Sequence, residues 1–293
     1  MKNEDQAFLL HLVSDTIRNG GIAEEKNQTD IAVSLYYDAF DASQRIDYKP
    51  GQGTSLCGLA RIARKGHDFE QAQDFCEEGL KILGCGNYNP TEGTLHQELG
   101  EIFRVQRKYA EALVCYQRSL YIALNLCSEI PPKANEKQIF WRYYRMAEAF
   151  EGLRQWVDAR QQYGNALQSA LKTADVLGQM DCHVKLAGVL ASEHLANEPR
   201  GHHNNPEEFR LYWLPCFEAQ IPHWQKLLAL AESVNHLERQ ASAHQRLAVC
   251  YEELGREDEA NKSIITSIEI FTLLGDKRAA VSQRYLKGFS KRS

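Results

Sequence analysis

Two groups of residues have types and spacing that could do chemistry. The first is His194, His202 and His203, close in sequence to Glu193 and Glu198 in a turn-rich, polar stretch. Structural zinc takes four ligands, often including cysteine, at regular spacing, and Cys182 is too isolated to complete such a set. The expectation is a solvated loop with no metal, and a metal-binding or enzymatic protein using this His-rich loop is an alternative. The second group is Arg61 and Arg64, then Gln97, Glu101 and Arg104, then Trp141, Tyr144 and Glu148. Arginine grips carboxylates bidentately and exposed aromatics anchor interfaces, so this set suits a peptide carrying an acidic group. Trp141 and Tyr144 could equally be packed between structural elements. No phosphate-binding loop, dinucleotide fingerprint, H-E-x-x-H or G-x-S-x-G occurs, so catalysis and cofactors are not expected.

The rest of the composition narrows the class further. A formal charge of −5 and a pI near 6.1 argue against nucleic-acid binding, which calls for a basic face. No run of about 18 apolar residues could span a bilayer, and the stretch Ala7 to Val13 is short and broken by His11, a poor secretory signal. A cytoplasmic protein is expected. The 8 cysteines lie far apart with no C-x-x-C pair, and they read as reduced thiols. Cys76, Cys115 and Cys250 fall on apolar faces, where cysteine acts as a small hydrophobe.

The elements that must position these residues emerge from an internal repeat. Leu99-Gly100 with Phe103, then Tyr109, Ala112, Tyr116 and Ser119, returns as Met146-Ala147 with Phe150, then Trp156, Ala159, Tyr163 and Ala166. It returns again at Leu247-Ala248, Tyr251, Ala260 and Ile264, and at Leu59-Ala60, Ala63, Ala72 and Cys76. A bulky, small, bulky triplet makes one stripe on a first helix, and Ala-x-x-x-aromatic supplies the facing stripe of a second. Short links such as Gly255-Arg256-Glu257 join the two as an antiparallel hairpin. Such pairs bury their apolar faces only by stacking on neighbours.

On these residues the chain resembles the tetratricopeptide repeat (TPR) family. Ala32, Tyr36 and Ala39 look like the second helix of an earlier copy, and His183, Leu186, Ala187 and Leu190 like the first helix of a further one. The anchoring alanines 32, 72, 112 and 159 are spaced 40, 40 and 47 residues apart, against a usual period of 34, which is similar to a subclass with longer repeats. The resemblance implies an all-α fold, a right-handed superhelical α-solenoid of antiparallel helix pairs. It is expected as a single domain over 1–293, with repeats at 6–46, 54–84, 93–128, 138–178, 180–235 and 240–275. A loop is expected at 193–206, one or two kinks at Pro215 and Pro222, and a capping helix at 277–289.

The resemblance further implies a non-enzymatic interaction scaffold or adaptor that takes a peptide or protein segment in a concave groove lined by first helices. Cys57 and Glu151 belong to the same expected surface as the arginines and aromatics above. Co-chaperones of the family clamp a terminal carboxylate with Lys, Asn, Asn, Lys and Arg. This chain has Cys57, Arg61, Glu98 and Thr94 or Trp141 instead, and Glu98 and Glu101 would repel such a ligand. The alternative partner is a second copy of the chain, through the aromatic stretch Phe209 to Trp224.

Overall fold

Where the sequence repeats its bulky, small, bulky triplet, the chain is helical. The computed structural model describes residues 2–84, 90–125, 132–198 and 206–289; among them are 13 α-helices and no strand. The chain divides into two compact units. Met1–Leu153 contains α1 (Lys2–Glu25), α2 (Thr29–Arg45), α3 (Lys49–Lys65), α4 (Phe69–Leu83), α5 (Pro90–Val105), α6 (Tyr109–Asn125) and α7 (Pro132–Gly152). Arg154–Ser293 contains α8 (Trp156–Thr173), α9 (Val176–Ala196), α10 (Pro206–Ser233), α11 (Leu237–Glu253), α12 (Glu257–Leu273) and α13 (Arg278–Phe289). Within each unit consecutive helices pack on one another, and in the first unit α3 also touches α1 and α5. This is a TPR-type solenoid fold.

The anchoring alanines sit where the pattern requires. Ala32, Ala72, Ala112, Ala159 and Ala260 are at most 1% exposed, and Tyr36, Tyr116 and Tyr163, four residues on, are buried beside them. Small residues make room for these rings: a Cβ on Gly100 would stand 2.6 Å from the Tyr116 ring. Hydroxyls reinforce the register, since Ser119 donates to the Gly93 carbonyl (2.6 Å) and Ser267 to the Ala241 carbonyl (2.9 Å), the same step of 26 residues.

The turns between helices use one device. Asn27, Asp47, His67, Arg107, Ala174, Asn235, Gly255 and Gly275 are left-handed, with φ between 51° and 73°. In each case the next residue's N–H donates to the carbonyl five back, for example Asp68 to Ala63 (2.9 Å) and Arg256 to Tyr251 (2.8 Å). This 6→1 bond closes the helix end and reverses the chain. Six of the eight positions are not glycine, and Ala174 has no side-chain hydrogen bond to offset its strain. Ala174→Gly should therefore stabilise the chain by about 0.5–1 kcal/mol, the relief of left-handed strain less the extra freedom of unfolded glycine, readable as a rise in denaturation midpoint.

Several expected boundaries move. First helices begin earlier than the repeat pattern indicates, at Lys49 rather than 54 and at Pro132 rather than 138, because an extra turn precedes the packing stripe. The loop expected from 193 starts later, since α9 runs to Ala196. Residues 199–205, with His202 and His203, lie outside the described residues. Helix α10 is unbroken through both Pro215 and Pro222.

Candidate functional site

In the first unit the residues singled out on sequence fall on the first helices α3, α5 and α7. Spacings of three and four residues put Arg61, Arg64 and Lys65 on one side of α3, Glu98, Glu101 and Arg104 on one side of α5, and Trp141, Arg145 and Glu148 on one side of α7. Glu24, at the end of α1, completes the row. The arginines do not stand free. Arg61 makes a fork on Glu24, with Nε 2.8 Å and Nη2 2.7 Å from its carboxylate, and Lys65 adds a third contact at 2.6 Å. Arg64 is bonded to Glu98. Arg104 donates to Glu101 (2.8 Å), Arg145 reaches both Glu101 (3.0 Å) and Glu148 (2.6 Å), and Arg104 lies 3.9 Å from Glu148. Ion pairs thus step from α1 to α3, α3 to α5 and α5 to α7.

Two tyrosines tie this row to the core. The Tyr116 hydroxyl donates to Glu101 (2.8 Å), and Arg61 donates to the Tyr36 hydroxyl (3.0 Å). Burial alone would raise the Glu24 carboxyl, but the hydrogen bonds from Arg61 and Lys65 outweigh it and hold its pKa below the usual value. Burial, with Glu101 close by, pushes the Tyr116 hydroxyl up, so it remains a donor. The groups of the row are held in fixed geometry by each other.

This differs from the expected open groove at Glu101 and Cys57, and Tyr144 takes the packed one of its two expected placements. Glu101 is only 7% exposed because Tyr116, Arg104 and Arg145 converge on it. Tyr144 is also buried and packs its ring on Phe140 and Trp141. Cys57 belongs to the core, with Cys76 and Cys115. Gln97 and Glu151 are half-buried, whereas Trp141 is exposed, with the Arg145 guanidinium 5.5 Å over its ring. Sequence inspection missed Glu24, Arg145 and the tyrosine hydroxyls. It also missed the glutamines that open first helices, Gln52, Gln179 and Gln240, each donating to the carbonyl nine residues before it (3.1–3.4 Å). Their identical place in three copies was the available signal.

In the second unit the candidate chemistry resolves into structure. The His194 ring donates to the Tyr212 carbonyl of α10 at 2.8 Å, three residues before Pro215. A carbonyl only accepts, so this His194 nitrogen carries the proton. The Tyr212 hydroxyl returns a bond to the His194 carbonyl (2.9 Å). Among the described residues no group of three or more His, Cys, Asp or Glu side chains could hold a metal ion. Trp224 and Phe217, expected on a self-association surface, pack in the core of this unit; the Phe209 side chain lies outside the described residues. Burial pushes the Cys57, Cys182 and Cys250 thiols up to about 12, so none is a nucleophile at neutral pH.

His183 on α9 and His223 on α10 share a hydrogen bond between their Nδ1 atoms (3.1 Å), which needs one ring to donate and the other to accept. Burial pulls His183 down to about 4 and His223 below its usual value, and burial also lowers His244. A lowered histidine binds its proton more readily when unfolded, so its stability contribution is complete above about pH 6.5 and is lost as pH falls toward 4. Denaturant unfolding at pH 7 and pH 5 should differ by about 2 kcal/mol from the pair, less than the full shift because water still reaches both rings. His183→Gln with His223→Gln should flatten that difference.

No protein-family model matches the chain, and no curated protein matches it by sequence. Solved structures do share its fold. The apo form of RapI superposes with a TM-score of 0.66 at 13% identity, over 96% of this chain and 72% of that one. A STAND protein with a tetratricopeptide repeat sensor, PH0952 from Pyrococcus horikoshii, gives 0.63 at 13% identity over 92% and 38%. A Podosopora anserina putative kinesin light chain with nearly identical TPR-like repeats gives 0.54 at 14% identity over 75% and 95%.

Proposed function

We propose that the chain is a non-enzymatic, cytoplasmic interaction adaptor whose ligand, a protein or peptide segment, lies along the first helices of the first unit. The observation that carries this reading is the interlocked row from Glu24 to Glu148 with the Trp141 ring exposed at its end. Side chains already held by one another lose little freedom on binding, which favours a preformed docking surface. Because each arginine has a carboxylate, the surface recognises a ligand by shape, hydrogen bonds and the indole face more than by net charge. Gln97, Lys65 and Trp141 are the residues available to it. No described helix is long and apolar enough to cross a membrane.

Affinity capture from cells, with mass spectrometry of wild type against Trp141→Ala, tests the proposal. The variant should lose the wild-type partner while its unfolding midpoint moves little, since the ring is already partly in water. An unchanged partner set with Trp141→Ala and Lys65→Glu combined would overturn the site. A second copy as the ligand predicts a dimer by sedimentation that Trp141→Ala dissociates.

A further inference from the structure

The arginines of the ion-pair row all meet carboxylates; Arg142 does not. It lies on α7, is 2% exposed, and donates through Nε to Ser119 Oγ (2.7 Å) and through Nη1 to Gln138 Oε1 (3.3 Å), both neutral. Ser119 is itself committed to the Gly93 carbonyl. Among the described residues no carboxylate pairs with the guanidinium and nothing accepts from Nη2. The nearby Glu92 is bonded to Arg118 (2.8 Å). Burial lowers Arg142 only to about 10, so it is charged at neutral pH.

Its surroundings make the charge harder to keep. Nη2 sits 3.6 Å from where a Gly93 Cβ would be, in the first turn of α5, and the N-terminal end of a helix is positive. A buried, unpaired charge is strongly unfavourable, and an apolar side chain of similar length would pack there without that cost. Gly93 keeps a side chain from pressing on Nη2, and Ile122 lines the other side of that position, 3.2 Å from where the Cβ would be. Gln138 is exposed and holds Nη1 by a long bond, so it is the group most easily displaced.

We infer that Arg142, with Ser119 and the Gly93 turn of α5, is a receptor for an oxyanion, a carboxylate or phosphoryl group that enters by displacing Gln138 and accepts from the guanidinium fork. A planar guanidinium offers two parallel N–H donors to such a group. The site is separate from Trp141, so Trp141→Ala keeps the anion response even if the adaptor surface proves wrong.

Thermal unfolding of the full chain at constant ionic strength, titrated with inorganic phosphate or with acetate, tests it. Wild type should show a saturable rise in midpoint, because a ligand that binds only the folded state stabilises it. Arg142→Met should start from a higher midpoint and bind at least about tenfold more weakly. A response to phosphate alone identifies a phosphoryl source, and an equal response to acetate a carboxylate. No saturable response to either anion, or an equal response from Arg142→Met, overturns the site. Should Arg142→Met not fold, calorimetric titration of Arg142→Lys decides: weaker binding than wild type is expected, and unchanged affinity overturns the site.

Discussion

Replacing Glu101 with alanine should lower the stability of the chain by about 3 kcal/mol, the scale for removing one partner from a buried ion pair. Its carboxylate accepts from Tyr116 and Arg104 at 2.8 Å each and forms an ion pair with Arg145 at 3.0 Å, while only 7% exposed. Without it two guanidiniums face each other and a buried hydroxyl loses its acceptor. Glu101→Gln keeps the shape and one acceptor oxygen but drops the charge, so it should cost less than alanine. Urea denaturation of the three proteins would show that order; equal stability of Glu101→Ala and wild type would mean that the row contributes nothing to folding. Because Glu101 joins α5 to α7, its loss also loosens the row proposed to receive the ligand.

Gly58→Ala is expected to be nearly as damaging, at about 2–3 kcal/mol. The new Cβ would stand 2.4 Å from Cζ of Tyr36, and this ring cannot retreat because Gly20 lies against it from α1, where a Cβ would be 2.9 Å away. The better helix propensity of alanine returns only about 1 kcal/mol. Gly164 and Gly188, on α8 and α9, have open space around them, so alanine there should stabilise by about 0.5–1 kcal/mol. Thermal melts of the three single variants separate the cases. Adding Tyr36→Leu to Gly58→Ala should recover part of the loss, as expected for residues in direct contact.

The helices and their pairing were legible because burial repeats with the chain. Ala32, Ala72, Ala112 and Ala260 each occupy a place where only a small side chain lets two helices approach, and that demand recurs at fixed offsets. Helix starts were less legible, since the added turn at Lys49 carries no bulky, small, bulky triplet and its repeated mark is a single glutamine, Gln52, matched by Gln179 and Gln240. His67, Arg107 and Ala174 occupy left-handed turn positions without being glycine, so the strongest local signal for those turns was absent.

For the site, the sequence by itself determined which helix faces carry Arg61, Arg64, Arg104 and Trp141, because spacing along a helix fixes direction. Only the tertiary structure decided their state. Glu24 and Arg61 are 37 residues apart, and Arg64 and Glu98 34, so the pairing of these charges depends on which helices become neighbours and at what rotation. The same holds in reverse for Arg142, whose isolation is a property of the pocket that α5, α6 and α7 close around it. Charge energy depends on distance and on the loss of surrounding water, and both are set by packing rather than by position in the chain.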